Sequence, residues 1–259
     1  MKPDAGFRTL FLGLFFSGAA LLTFIVCLYV FSLSPVEGAQ AIKASFLRIR
    51  EDLFTSLLQT LYMVSLSTLF SFIIGFFLAS LMIVTGPQGL RPHFYTYAVL
   101  DALVDILRSL PFIILIIFIM PLTRLIMGTA IGTLPTVLPL TVAAAPFAAR
   151  IIEANFLEVD RGVVEAARSF GASTTQVIFR VLLPEALPAI ILNVAVLAIA
   201  LLGYSAMAGA VGGGGLGDLA YRLGYNRFQN DVSVWCILVL VLLVRCIQSA
   251  GNILYRRLR

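Results

Sequence analysis

The sequence predicts an all-α, polytopic transmembrane helical bundle, and three observations carry that prediction. Of 259 residues, 60% are hydrophobic and only 12% are charged, too little charge to cover a soluble domain of this length. Apolar runs of about 20 residues, enough to cross a bilayer as helices, recur along the whole chain and leave no room for a separate soluble domain. The net charge of +5 would suggest a nucleic-acid partner in a soluble protein, but here the basic residues sit mostly in short segments between apolar runs. That is the pattern of membrane topology, and it argues against nucleic acid.

Six spans are expected, at about residues 10–31, 53–84, 95–120, 133–152, 187–210 and 232–254. The first follows Lys2 and Arg8, and the "AQA" at 39–41 resembles a signal-peptidase site. Its apolar run exceeds the roughly 7–15 residues of a signal core, which favours a retained helix. Residues 1–50 are therefore read as an extra N-terminal transmembrane helix and outer linker, and 51–259 as a core of five spans. The second span is long enough to tilt or protrude. The third carries Pro111, and the fourth carries Pro135, Pro139 and Pro146.

With the N-terminus inside, the inner segments hold Lys2, Arg8, Arg91, Arg150, Arg161, Arg168, Arg180, Arg256, Arg257 and Arg259. The outer ones hold Lys43, Arg48, Arg50, Arg124, Arg222 and Arg227. The excess of positive charge places the long charged loop at 153–185 in the cytoplasm. Cys27, Cys236 and Cys246 lie inside apolar runs without paired spacing and read as small buried hydrophobes. His93, the single histidine, stands in a polar loop with no carboxylate or cysteine cluster nearby, which argues against a metal ligand.

Between the fifth and sixth spans, Gly212-x-Gly214-x-x-Gly217 matches the dinucleotide fingerprint as a pattern. That fingerprint needs a strand before the glycines and an acidic residue about 20 positions later. Here a membrane helix precedes them, "CILVLVL" follows at that distance, and no Lys-Ser/Thr completes a phosphate loop. The glycines therefore serve the backbone, either as a flexible outer loop or as a packed, re-entrant one.

The loop "EVDRGVVEAARSFGASTTQVIFRVLLPEALP", residues 158–188, carries the strongest signal. Val163, Val164, Ala167 and Phe170 recur at helical spacing, and Gly171 can take the left-handed position that ends a helix. Ser173-x-x-Gln176 is a capping-box pattern for a second helix with Val177, Ile178, Val181 and Leu182 on its apolar face. Pro184 is expected to break that helix before the next span. The result is two short helices meeting at an angle on the membrane surface, with an Ala166-Ala167 patch suited to a partner's groove.

Within the third span, Asp101, Asp105 and Arg108 share one helical face. Charge within hydrocarbon must meet a partner or water. A proton relay or substrate site is one reading. A structural Asp105–Arg108 pair is the preferred one, with no second acidic helix expected to face it. At the end of the fifth span, "LLGYSAMAGA" is rich in small residues that let helices pack closely. Tyr204, Ser205 and Met207 either belong to that packing face or line a central pathway.

Glu165-Ala166-Ala167, Gly171 and Val181-x-Leu183-Pro184, at their spacings, resemble the EAA loop of ABC importer permeases, which usually has Ile in place of Val181. "RSLPFIILIIFIMPLTRLIMGT", "PLTVAAAPFAARIIE", "LLPEALP", "LGYSAM" and "GGGGLGDLAYRLGY" narrow the resemblance to the methionine-type permeases over about residues 53–257. The resemblance implies the type I importer permease fold, with five spans in the family and one added here. It implies that Glu165, Ala166, Ala167, Gly171, Val181, Leu183 and Pro184 couple to a cytoplasmic ATPase. It further implies that Met207 gates the pathway beside Tyr204 and Ser205.

The implied assembly is a permease homodimer in a bacterial inner (plasma) membrane. It binds two ATPase subunits and a periplasmic or lipid-anchored solute-binding protein. ATP and magnesium belong to the partner, and no cofactor is expected in this chain, which is not itself an enzyme. An importer for another small solute would carry much the same loop. An ion-coupled secondary carrier using Asp101 and Asp105 is the alternative from another class. An intramembrane enzyme lacks support, because no span carries a metal-binding or nucleophile–base arrangement.

Overall fold

The computed structural model describes residues 38–258. The span expected at 10–31, its signal-peptide alternative and Cys27 lie outside the described residues. Helix α1 is Gly38–Thr85, α2 Phe94–Ser109, α3 Phe112–Met127 and α4 Thr133–Leu157. The short α5, Arg161–Ser169, precedes α6, Thr174–Ala210. The short α7, Gly215–Leu219, runs on into a wider turn, Ala220–Tyr225, and α8 is Asn230–Leu258.

Among the described residues, α1, α4, α6 and α8 are long and apolar enough to cross a membrane, and α2 with α3 makes a fifth candidate as a bent pair. The first of the six expected spans lies outside those residues, so the count of six is not tested, and the other five fall on these candidates. The third expected span is broken, with α2 and α3 bent by 108°. Pro111 is the cause. Its ring pushes Leu110 out of the helical region, to φ −77° and ψ 127°. The run stays apolar through the bend, so hydropathy alone reads it as one element.

Helix α1 has 48 residues and starts inside the stretch read as outer linker, so a division at residue 50 falls within one helix. No proline interrupts that stretch, and its charged residues continue the helix beyond the apolar segment. The expected break at Pro184 does not occur either. Ile178–Leu182 form a wider π-type turn, in which the Leu183 N–H reaches the Ile178 carbonyl five residues back. Pro184 then falls in the first turn of the following α-helical stretch, where its missing N–H is not needed.

The centre of the subunit is the contact of α1 with α4. Ser67, Ser71, Gly75 and Ala79, each one turn apart, all face inward. Ser67 and Ser71 donate their hydroxyls to the Val137 and Thr141 carbonyls of α4, at 3.4 and 3.2 Å. A Cβ on Gly75 would stand 2.6 Å from Ala148 Cβ and 2.9 Å from the Ala149 nitrogen. Small side chains let these backbones approach, which is how helices associate where lipid is as apolar as leucine. Across α4 and α6, Asn193 donates to Asn155 at 3.1 Å.

At the other end of α1, Arg48 and Ser45 both bond Asp231 at the start of α8, at 2.5 and 2.6 Å, and Phe46 packs on Trp235. Cys236 is buried as expected. Cys246 is exposed, which corrects the reading of it as buried: an apolar environment on this helix includes the face turned away from the bundle.

Gly75→Val is expected to destabilise the subunit by about 1–3 kcal/mol, because the backbones of α1 and α4 must separate. Thermal unfolding in detergent checks this: the midpoint falls by several degrees, whereas Ile73→Val on the exposed face of the same helix leaves it in place.

Candidate coupling and translocation site

Helix α5 is set by its two ends. The Asp160 carboxylate accepts the Gly162 N–H at 2.7 Å and caps the start. At the other end the Gly171 N–H bonds the Arg168 carbonyl, and the Ala172 N–H bonds the Ala167 carbonyl. With Gly171 at φ +82°, this is a Schellman closure, a left-handed residue stopping a helix. The Ser173–Gln176 capping box then forms with both of its bonds. The bend expected from the sequence is present. The second helix, however, is no separate element but the start of α6.

No residue of α5 is buried. Only one side touches the bundle. Val164 and Ala172 rest on a cluster of Ile152, Phe156, Val177, Ile178 and Leu182. On the other side Val163, Ala166 and Phe170, at three- and four-residue spacing, face out, with Phe170 92% exposed. Glu165 is exposed and Ala167 half-buried. Val181 and Leu183 are half-buried at the wider turn, and Pro184 is exposed beside them. Arg161 at the start of α5 donates to Gln88 in the turn after α1.

The charged residues of the third expected span find a partner that sequence reasoning missed. Arg150 of α4 bonds Asp101 at 2.6 Å, Asp105 at 2.8 Å and, along its own helix, Glu153 at 3.0 Å. Tyr97 donates to the other Glu153 oxygen at 3.2 Å. Glu153 is almost fully buried, so an acidic group does face the cluster from a second helix, against expectation. The expected Asp105–Arg108 pair exists only at 3.8 Å. Arg150 counts among the inner positive charges, yet it stands near the end of the expected fourth span. Its spacing of three from Glu153 inside an apolar helix was the available signal. His93 is exposed and caps α2, with Nδ1 accepting the Thr96 N–H.

On α6, Tyr204 stacks on Phe112 with ring centroids 4.8 Å apart and planes 11° apart. Ser205 is buried, and its hydroxyl donates to the Leu202 carbonyl at 2.8 Å, which places it in the helix packing. Met207, half exposed, shares an open face with Gly203 and Ala210.

The glycine run takes the packed form. Gly215 and Leu216 donate their N–H groups to Gln59 and Thr60 of α1, both at 2.9 Å. Leu216 and Leu219 are fully buried. A Cβ on Gly209 would stand 2.2 Å from the Asp218 nitrogen, so the loop lies directly against α6.

Residues 71–259 match the family described as binding-protein-dependent transport system inner membrane component. The chain is 45% identical over 215 residues to a probable D-methionine transport system permease protein, MetI, of Vibrio cholerae, covering 83% of this chain and 96% of that one. It is 42% identical over 174 residues to the methionine import system permease protein MetP of Bacillus subtilis, covering 67% and 78%. Its fold is similar to a chain of the MetNI methionine ABC transporter in inward-facing conformation, with TM-score 0.79 and 42% identity over 80% of this chain and 96% of that chain.

Loss of Arg150 leaves three carboxylates without their short partner, a cost of about 3–5 kcal/mol for a fully buried pair and less here because several members are partly exposed. Arg150→Met is therefore expected to lower the thermal midpoint clearly, and Arg108→Met to leave it within about a degree because that pair is long and exposed. Equal shifts in the two variants would contradict the assignment of Arg150 as the hub.

Proposed function

The chain belongs to the family of binding-protein-dependent transport system inner membrane components, and on that premise we propose the following assembly for it. It is the multi-pass permease subunit of an ABC importer that takes up methionine. Two copies form the pathway in a bacterial plasma membrane. Each copy receives one ATPase subunit on α5, and a solute-binding protein delivers the amino acid from outside.

The observation that carries this reading is α5 itself. It is a capped, amphipathic helix held to the bundle by one side only, with Val163, Ala166 and Phe170 turned outward. An apolar stripe of this kind suits a partner's groove. Glu165, Ala166, Ala167 and the Gly171 bend give the docking face. Val181, Leu183 and Pro184 lie at the wider turn near the start of α6, so displacement of α5 is transmitted along the helix that carries Tyr204 and Met207. Ser205 supports that helix from its packed side. ATP and magnesium are supplied by the ATPase.

The carrier alternative loses its acidic groups, since Asp101 and Asp105 are both engaged by Arg150. Co-purification with the ATPase and ATP-dependent methionine uptake by the reconstituted complex test the assignment. Uptake by the chain alone under an ion gradient would replace it.

Gly171→Val forces a β-branched side chain into the left-handed region, which costs roughly 1–2 kcal/mol or more. No atom lies within 4 Å of a Cβ there, so the strain is in the backbone alone. The expected outcome is at least a tenfold loss of uptake with membrane insertion intact. Gly171→Asn, which tolerates this conformation, restores most of it. Ala167→Asp is expected to uncouple ATP hydrolysis from uptake in the same assay. Wild-type uptake in both Gly171→Val and Ala167→Asp would exclude α5 as the coupling element.

A further inference from the structure

A cavity of about 150 Å³ lies between α2, the α2–α3 break, α4 and α6. Its apolar walls include Leu107, Phe112, Leu115, Phe147 and Tyr204, and its charged member is Arg108. Phe112 and Leu115 are buried, and the stacked pair of Phe112 and Tyr204 makes an aromatic side. Ala143 and Phe147 sit near the middle of α4, which puts the cavity near mid-depth in the bilayer.

Arg108 is poorly matched to its surroundings. Among the described residues, its only ion pair is to Asp105 at 3.8 Å, beyond hydrogen-bonding distance, and Arg150 holds the same Asp105 oxygen at 2.8 Å. A guanidinium at this depth with its fork of donors unclaimed is costly against lipid, so this side of α2 borders water or the pathway. Planar recognition of a carboxylate is what such a fork does best. The wall is also where the broken span restarts, so the positive end of α3 favours the same charge.

We propose that this cavity is a binding site for the transported amino acid within the membrane, with Arg108 taking the α-carboxylate and Phe112, Phe147 and Tyr204 taking the apolar side chain. The proposal rests on the reading of the chain as a methionine permease. A cavity of about 150 Å³ holds a ligand of benzene size, enough for a thioether side chain, and thioether sulfur packs favourably on aromatic rings. Met207, half exposed, lies three residues beyond Tyr204 on α6.

The test uses the complete importer reconstituted in vesicles with its binding protein. Arg108→Met removes the carboxylate partner, and Ala143→Leu fills the cavity. Each is expected to lower methionine uptake at least tenfold while the complex still co-purifies. Wild-type complex irradiated with photo-methionine, a diazirine analogue, is expected to carry label on Leu107, Phe112, Phe147 or Tyr204, and excess methionine removes it. Uptake within twofold of wild type in both variants overturns the proposal, as does labelling that spares the lining residues. If a variant fails to assemble, the labelling pattern of the wild type decides alone. Failure of the wild-type complex to take up methionine at all overturns the underlying reading instead, which separates the two outcomes.

Discussion

The close approach of α1 and α4 is the constraint on which the rest depends. Between lipid-exposed helices there is no hydrophobic gain in association, so stability comes from contact that only small side chains permit. Ser67, Ser71, Gly75 and Ala79 supply it on one helix and Ala148 and Ala149 on the other. Everything functional is then hung from this pair. Helix α4 carries Arg150, Ala143 and Phe147. Helix α1 carries Gln59 and Thr60, which hold the glycine loop against the end of α6.

Charge in the membrane half of the molecule follows the same economy. Arg150 gathers the carboxylates of α2 and α4 into one cluster, so three acidic groups are compensated by one cation. The cluster also ties the broken span to the central pair. Its inner neighbours are the turn after α1, which reaches α5 through Gln88 and Arg161, and the apolar cluster of Phe156, Ile178 and Leu182 beneath α5. Docking segment, charged hub and cavity are thus contiguous. A single cation, Arg108, is left on the cavity side with only a distant partner.

Much of this was legible in advance. Composition and apolar runs were enough for a helical membrane bundle, and the Gly171 stop and Ser173–Gln176 box were readable because caps are local chemistry between residues two to five positions apart. The failures share a cause. Leu110–Pro111 and Pro184 depart from expectation because the backbone outcome depends on what surrounds a proline. Pro111 breaks its span, whereas Pro184 is absorbed by a wider turn, and nothing within a few residues distinguishes them. Arg150 counts as an inner topology charge because positive charge marks the inner side, a rule that says nothing of carboxylates waiting on another helix.

The amino-acid sequence by itself determined the class of fold, the amphipathic docking helix and its bend, because burial preference, periodicity and capping act over one or two turns. The tertiary structure alone decided which helices meet, that Arg150 rather than Arg108 neutralises the α2 carboxylates, and that the glycine run is packed rather than loose. Those outcomes turn on distances between residues 45 to 156 positions apart, set when small side chains let two backbones come into contact.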